Sequence, residues 1–242
     1  MSLFQQLEDK AKHKRRRIGI SIFRWSDQIR ESLQHSQEIA DVVIYGDPRY
    51  DFDGVPVTNE EQIGRLMVQD FKAGKIDQFV RGQVDDFVTV EEYKKLFGVP
   101  KDQKRLALSL MRDARGREFF LVLASNPEGQ NLEEKIWYID GVTSWLKGIW
   151  PELIPKVAVM ATCRPGSYGK DPLMSKSFDE AEAVVKHLTE KGIEAKNVHI
   201  ELENAAIWAN LIMAANGTTG NQIFRALVYL GGGKNYSTPT IF

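Results

Sequence analysis

The sequence predicts an α/β protein with two open, mainly parallel sheets. Three observations support this class: apolar, β-branched segments that suit buried strands, helices with recognisable ends between them, and a change of pattern after Pro100. Regular alternation of strands and helices is typical of parallel sheets that carry helices on their faces. The new pattern after Pro100 indicates that a second sheet begins there.

The first predicted strands are short and continuously apolar. Ile18–Phe23 and Val42–Tyr45 lack the alternation of a half-exposed strand, which indicates that both of their faces are covered. A third strand is predicted over Asp77–Gly82, where it runs into a loop.

Capping signals predict where the helices begin and end. Three Ser/Thr–Glu pairs have the spacing of a capping box: Thr58 with Glu61, Thr89 with Glu92, and Ser177 with Glu180. The glycines that follow predict the helix ends; they are Gly74, Gly98 and Gly192.

The pattern after Pro100 begins with a hairpin. Arg105–Met111 and Glu118–Ala124 are joined by a connection too short to hold a crossover helix, so the two strands are predicted to be antiparallel. The rest of this half is again α/β. It contains a helix over 132–146, a strand over 156–161, a helix over 178–191, and strands near 196–201 and 209–214.

Composition excludes several classes of function. The 242 residues carry 32 basic and 33 acidic side chains, and this balance argues against a nucleic-acid partner. The chain has no apolar run of membrane-spanning length and no apolar segment near its polar N-terminus, so we expect a cytoplasmic protein that does not enter membranes. One cysteine and four dispersed histidines predict neither a disulfide framework nor a metal site.

Ligands of open α/β sheets bind beyond the carboxyl ends of the strands. Four loops in such positions stand out: Gly46–Arg49, Arg81–Asp85, Thr162–Lys170 and Asn216–Asn221. The last two combine glycines and hydroxyls with the cations Arg164 and Lys170, and a helix start is expected at Gly220–Asn221. This composition suits either an anion site or an ordinary capped loop, and Arg164 is either an anion clamp or a surface side chain.

These loops, in this order, resemble the phosphate acetyl/butyryltransferase superfamily. Lys156–Lys170 resembles its strand and Ser/Gly loop, and Ile200–Phe224 resembles its strand followed by a Gly-Asn helix start. Phe79–Gly82, Arg105–Met111 and Asn126-Pro127 match weaker features. Within the superfamily, the chain is most similar to the methyltransferase-related Mtx subunit X group, also called methanogenesis marker protein 4.

The resemblance implies two α/β domains with an active-site cleft between them. The first domain would be residues 1–100, completed by 224–242, and the second would be an inserted domain, residues 101–223, that carries the hairpin. The implied ligands are coenzyme A and an acyl phosphate, or another phosphate-containing molecule, without a metal. The implied assembly is a homodimer, for which a face bearing Trp137 and Trp145 in the second domain is a candidate interface.

The resemblance also implies a set of ligand-binding residues. The phosphate end would be lined by Thr162, Arg164, Ser167 and Lys170. The opposite wall would be formed by Asn216, Thr218, Thr219, Gly220 and Asn221, and Arg81 and Gly82 would face them from the first domain.

One feature of the superfamily is missing from this sequence. Phosphotransacetylases carry an Asp-Leu-Ser-Arg segment near the C-terminus, whereas this sequence ends with Ser237–Phe242. Because the transfer step needs stabilisation of developing charge, we expect the anion site to be kept and the reaction to differ. Two functions therefore stay open: an acyl-, phosphoryl- or methyl-transferase, and a non-catalytic accessory subunit that partners a methyltransferase subunit.

Overall fold

The computed structural model describes residues 2–125 and 127–242, with Ser237 described by its backbone alone. The chain divides into two compact units, Met1–Gln103 and Lys104–Phe242. The α/β class with mainly parallel sheets is confirmed. Asn126, part of the weaker resemblance, lies outside the described residues.

The first unit is built on four parallel strands. They are β1 (Arg16–Ile22), β2 (Ala40–Gly46), β3 (Asp53–Pro56) and β4 (Gln78–Val80). Their order in the sheet is β3-β2-β1-β4. The strand β3 is absent from the prediction because Gly54 and Pro56 are poor strand residues.

Helices cover both faces of this sheet, as the apolar strand sequences predict. The helices of this unit are α1 (Leu3–Lys12), α2 (Asp27–Ser36), α3 (Glu60–Lys72) and α4 (Asp86–Phe97), and α2 and α3 pack on opposite faces of the sheet. On one face Val43 and Tyr45 pack with Ile63 of α3. On the other face Val42 and Ile44 pack with residues that include Leu33 of α2.

Two capping signals in this unit are wrong. The N-cap of α3 is Asn59, one residue after Thr58, and its side chain accepts a hydrogen bond from the Gln62 N–H. The helix α4 begins three residues before Thr89, with Asp85 as its cap. Glu92 is buried and accepts hydrogen bonds from Gln69 and Arg65 of α3. Packing between two helices, and not capping, therefore accounts for this glutamate.

The second unit holds the predicted hairpin and a set of parallel strands. The strands are β5 (Leu106–Arg112), β6 (Glu118–Val122), β7 (Lys156–Met160), β8 (Glu194–His199), β9 (Leu211–Met213), β10 (Lys234–Ser237) and β11 (Thr240–Ile241). Their order is β10-β5-β6-β9-β7-β8, and β11 also pairs with β5. The hairpin β5–β6 is antiparallel, whereas β6, β9, β7 and β8 run parallel.

The end of the chain belongs to this second unit. The strands β10 and β11 both pair with β5, and residues 104–242 form one unit. The expectation that residues 224–242 complete the first domain, with the second domain inserted, is therefore not met. The reason is physical: β5 would otherwise leave an unpaired strand edge, and the returning segment satisfies its backbone groups.

The helices of the second unit are α5 (Leu132–Ile149), α6 (Pro172–Glu190), α7 (Leu202–Trp208) and α8 (Gly217–Arg225), the last followed by a π-helical turn, Ala226–Leu230. The capping signal at Ser177 is wrong because α6 begins at Pro172, capped by Asp171. No helix of residues 2–125 and 127–242 combines the length and apolar character needed to cross a bilayer.

The aromatic side chains of α5 have different environments. Trp150 is buried against Phe120, and Tyr138 is buried with its hydroxyl bonded to Ala107. Trp137 and Trp145 remain partly exposed. The homodimer through this face stays a prediction.

A buried ion pair joins α5 to α6. Lys135 and Glu180 lie 2.6 Å apart, with only 6% and 11% of their side chains exposed. Removing Lys135 leaves the buried Glu180 charge with only the more distant Lys176, 3.7 Å away, so we expect Lys135→Ala to lower the free energy of unfolding by about 3 kcal/mol. Urea denaturation measures this loss.

The exposed pair Lys156–Glu194, 3.6 Å apart, provides the control. Lys156→Ala should cost no more than about 1 kcal/mol. Equal losses in the two variants would show that the α5–α6 pair has no special role.

Candidate functional site

Four parallel strands of the second unit end at the same edge of the sheet. After β7 the chain turns through α6 to β8 at one side of the sheet. After β9 it turns through α8 towards β10 at the opposite side. Neighbouring strands whose connections leave in opposite directions form the crevice where open α/β sheets bind ligands. This topology brings together the two loops that the sequence singles out.

Two strained backbone positions lie at these strand ends. Leu123 follows β6 and His199 ends β8, and both have positive φ angles, 59° and 56°. Such conformations are unfavourable for residues other than glycine and cluster at functional sites. This observation independently marks the edge as a candidate site.

The loop after β7 is held firmly by α6. The Thr162 N–H donates to Ser177 Oγ (3.1 Å), and the Gly169 N–H donates to Ser175 Oγ (2.9 Å). Pro165–Ser167 forms a 3₁₀ turn, and Cys163 is buried beneath it. The side chains of Thr162, Arg164 and Lys170 are exposed on this fixed backbone, and Ser167 is half-buried.

Arg164 has a partner in the structure. Its Nε lies 3.3 Å from Glu201 Oε1, at the end of β8. The Arg164 side chain is 60% exposed and that of Glu201 is 33% exposed. An ion pair this exposed contributes little stability.

The loop after β9 differs from its prediction. The helix α8 begins at Gly217 and is capped by Asn216, so the predicted start at Gly220–Asn221 is wrong by three residues. The Gly217 N–H donates to the Glu128 carbonyl, and that of Thr219 donates to Asn216 Oδ1. The Gly220 N–H donates within the helix to the Asn216 carbonyl. These three groups are therefore not available to an anion.

The glycines of α8 serve close packing. A Cβ atom on Gly220 would lie 1.9 Å from the Leu123 carbonyl oxygen, and one on Gly217 would lie 1.9 Å from that of Ser125. Asn221 adds a hydrogen bond from its side chain to the Ala124 carbonyl (3.1 Å). The helix is thereby pressed against the backbone that follows β6. Thr218 is exposed and Thr219 half-buried beside it.

Gly220→Ala should therefore destabilise the fold. The added methyl group would meet rigid backbone, and we expect a loss of about 3 kcal/mol, the upper range for overpacking. Gly166, whose Cβ would meet nothing within 4 Å, is the matched control. Gly166→Ala should leave the melting temperature unchanged or slightly raised, and an equally stable Gly220→Ala variant would contradict the packing role.

Arg81 and Gly82 lie in the first unit, in the loop after β4. Gly82 has a φ of +63°, and an added Cβ would lie 2.2 Å from the Ser21 carbonyl oxygen. The Arg81 carbonyl accepts a hydrogen bond from the buried Ser21 hydroxyl. The Arg81 side chain donates from Nη1 to the Val84 carbonyl (3.2 Å). The structure gives both residues a role in shaping this loop.

Glu128 is a candidate that sequence reasoning missed. It follows β6 at the same edge, and its Oε2 accepts a hydrogen bond from the Ser125 N–H (3.1 Å). Burial raises the pKa of its carboxyl group above the ordinary value, although the hydrogen bond from Ser125 opposes this. A carboxyl group with a raised pKa at such an edge is suited to proton transfer. Ligands bind beyond the carboxyl ends of parallel strands, and β6 pairs in parallel with β9. The sequence predicts β6 only as part of an antiparallel hairpin, so the loop that holds Glu128 was not selected.

The raised pKa predicts a pH-dependent effect of Glu128→Gln. Between the ordinary pKa of a glutamate and the raised value, the folded protein binds the proton more tightly than the unfolded chain. Wild-type stability from this group therefore falls as the pH rises through that window. Glu128→Gln has no titrating carboxyl group here and does not lose this stability. Its free energy of unfolding in urea, relative to that of wild type, should therefore rise from pH 4 to pH 7. A constant difference would contradict the raised pKa.

Within residues 2–125 and 127–242, no group of three or more His, Cys, Asp or Glu side chains is arranged so that it could hold a metal ion.

The chain has the fold of the phosphotransacetylases. A branched-chain phosphotransacylase from Enterococcus faecalis matches it with a TM-score of 0.65 and 14% identity, over 93% of this chain and 89% of that one. A phosphotransacetylase from Streptococcus pyogenes matches with a TM-score of 0.63 and 16% identity, over 100% and 90% of the two chains. These likenesses establish the class of fold.

The sequence is similar to a narrower group. The protein named "Putative methyltransferase mtx subunit X" from Methanosarcina mazei is 29% identical over 246 residues, 99% of this chain and 86% of its own. Its namesake from Methanosarcina barkeri is 29% identical over 96% and 86% of the two chains. No protein-family model matches the chain. The resemblance to Mtx subunit X proteins and to the phosphotransacetylase fold is confirmed.

Proposed function

We propose that this protein is a transferase of the phosphotransacetylase-like superfamily whose second unit binds a phosphorylated or CoA-like small molecule where β7 and β9 end. The observation that carries the proposal is the divergence of the chain after these two strands. It gathers the loops that follow β7 and β9 at one crevice.

Arg164 and Lys170 supply the positive charge. Both are exposed on a loop whose backbone is held by α6, so the loop backbone needs little ordering when an anion binds. A phosphate group accepts bidentate hydrogen bonds from a guanidinium, and the hydroxyls of Thr162 and Ser167 lie on the same loop. A phosphate, free or within coenzyme A, suits this combination of donors.

Glu201 competes with the ligand for Arg164. Its carboxylate is 3.3 Å from the Arg164 Nε, the position that an anion oxygen would take. Binding therefore exchanges one ion pair for another, and the carboxylate is left exposed to water. Glu128 lies at the same edge and is the group suited to accept or donate a proton during transfer.

Two variants should change phosphate affinity in opposite directions. Arg164→Ala should weaken binding by about 1.5–3 kcal/mol, the worth of a charge-assisted hydrogen bond. Glu201→Gln should strengthen it by about 0.5–1 kcal/mol because the competing charge is gone. Isothermal titration calorimetry with inorganic phosphate and with coenzyme A measures both.

Lys156→Ala is the control, because Lys156 forms a comparable ion pair at the opposite end of β7. Its phosphate affinity should equal that of wild type. Unchanged affinity in Arg164→Ala, or equal weakening in all three variants, would overturn the proposed site.

A second function is favoured by the word "subunit" in the relatives' name. In this alternative the protein is a non-catalytic accessory subunit of a methyl-transfer system. A stable complex with a methyltransferase subunit, together with no turnover of acyl or methyl donors, would support it. Turnover by the isolated protein would reject it.

A further inference from the structure

The first unit contains a groove of about 1000 Å³ where β1, β2 and β3 end. This volume is at the upper end of the range for small-molecule pockets. Gly46 forms part of its lining, and an added Cβ there would lie 2.5 Å from the Ile22 carbonyl oxygen. One face of α3 forms a wall, with Gln62 and Arg65 among its side chains.

Asp47, the first residue after β2, is held in this groove by its backbone. Its N–H donates to the Ile22 carbonyl (2.8 Å), and its carbonyl accepts from Trp25 Nε1 (2.8 Å). Oδ2 pairs with Arg49 (2.5 Å), while Oδ1 has no hydrogen-bond partner among the described residues. A fixed carboxylate with one oxygen available is a preorganised acceptor for hydroxyl groups.

Backbone strain begins three residues after Asp47. Tyr50 and Asp51 both have positive φ angles, 56° and 61°, and Tyr50 packs against Trp25 with ring centroids 5.1 Å apart. Two consecutive strained residues need support from their surroundings, and such strain is characteristic of ligand-binding loops.

The strand order identifies what the carboxylate suits. The order β3-β2-β1-β4 matches the first four strands of dinucleotide-binding sheets, whose full order is 3-2-1-4-5-6 and in which an acidic residue about 20 residues after the first βα turn binds ribose hydroxyls. Asp47 occupies this position. Here, unlike in those sheets, β2 and β3 are joined without a helix. The glycine-rich phosphate loop is missing, because Phe23–Ser26 separates β1 from α2, and Ser26 caps α2 itself. The groove therefore suits a nucleoside and not a pyrophosphate.

The walls of the groove suit a neutral, planar base. Phe23, Val57 and Leu66 provide apolar surface, while Arg65 is already paired with Glu61 (2.6 Å) and Glu92 (3.2 Å). Gln62 is exposed on the wall, and the described residues show no partner for its side-chain amide. A glutamine amide pairs with the donor and acceptor edge of adenine.

We propose that this groove binds the adenosine portion of a ligand, with the Asp47 carboxylate accepting hydrogen bonds from the ribose hydroxyls and Gln62 pairing with the adenine edge. The assignment is independent of the anion site of the second unit. It adds a nucleoside site at a groove whose charge does not point to an anionic ligand. The one guanidinium among the lining residues, that of Arg65, is neutralised by Glu61 and Glu92.

Calorimetry of the full chain with adenosine, 2′-deoxyadenosine, uridine and inorganic phosphate tests this site. Adenosine should bind about 10-fold more tightly than 2′-deoxyadenosine, the worth of a hydrogen bond to a charged group. Asp47→Asn should weaken adenosine binding about 10-fold and abolish this difference. Gln62→Leu should remove the preference for adenosine over uridine and keep the ribose effect.

Asp41→Asn is the matched control, because Asp41 pairs with Arg15 (2.6 Å) near the opposite end of the same strand. It should bind adenosine as wild type does. The proposal is overturned if adenosine does not bind saturably, or if Asp47→Asn keeps the ribose effect. If Asp47→Asn does not fold, the test is whether Gln62→Leu loses the preference for adenosine over uridine. A retained preference then overturns the proposal. Arg164→Ala should leave adenosine binding unchanged, so failure here is distinguishable from failure of the anion site.

Discussion

The parallel pairing of β7 with β9 determines the arrangement of the candidate site. Their register aligns Val159 with Met213, so the residues that follow each strand emerge at the same level of the sheet. A parallel pair also requires a crossover connection for each strand, and here the two connections leave in opposite directions. The crevice is thus a consequence of backbone hydrogen bonding, and the candidate side chains lie on the loops that follow these parallel strands.

Close packing then determines what this crevice offers. Because α8 approaches the backbone after β6 at Gly217 and Gly220, its N-terminal N–H groups are used by the chain itself. The positive charge must come from side chains on the loop after β7. There Arg164 is already paired with Glu201, so under the proposed function ligand binding is an exchange of partners. In contrast, the buried pair Lys135–Glu180 is sheltered from water and serves to join two helices.

Much of the fold could be predicted from local sequence, and several of the misses depend on partners that are distant in the chain. The continuous apolar strands and the end of α4 at Gly98 are determined by residues that neighbour each other in the sequence. Both features were therefore predictable. Glu92 and Glu180 match a capping pattern, yet each pairs with a residue of another helix. The strands β10 and β11 pair with a segment more than 120 residues earlier. No local pattern encodes such partners. For the candidate site, the loops and Arg164 were found by the strand-end rule, whereas the Glu201 pair and the half-buried Glu128 required the tertiary structure.

The anion site is tested by a phosphate titration that is followed through backbone amide chemical shifts. An anion site at the β7–β9 edge predicts saturable shifts concentrated in residues 161–170 and 199–201, with smaller shifts in the 214–221 segment, whose amides at Gly217, Thr219 and Gly220 are internally bonded. Shifts confined to other parts of the chain, or none at millimolar phosphate, would contradict an anion site at the β7–β9 edge.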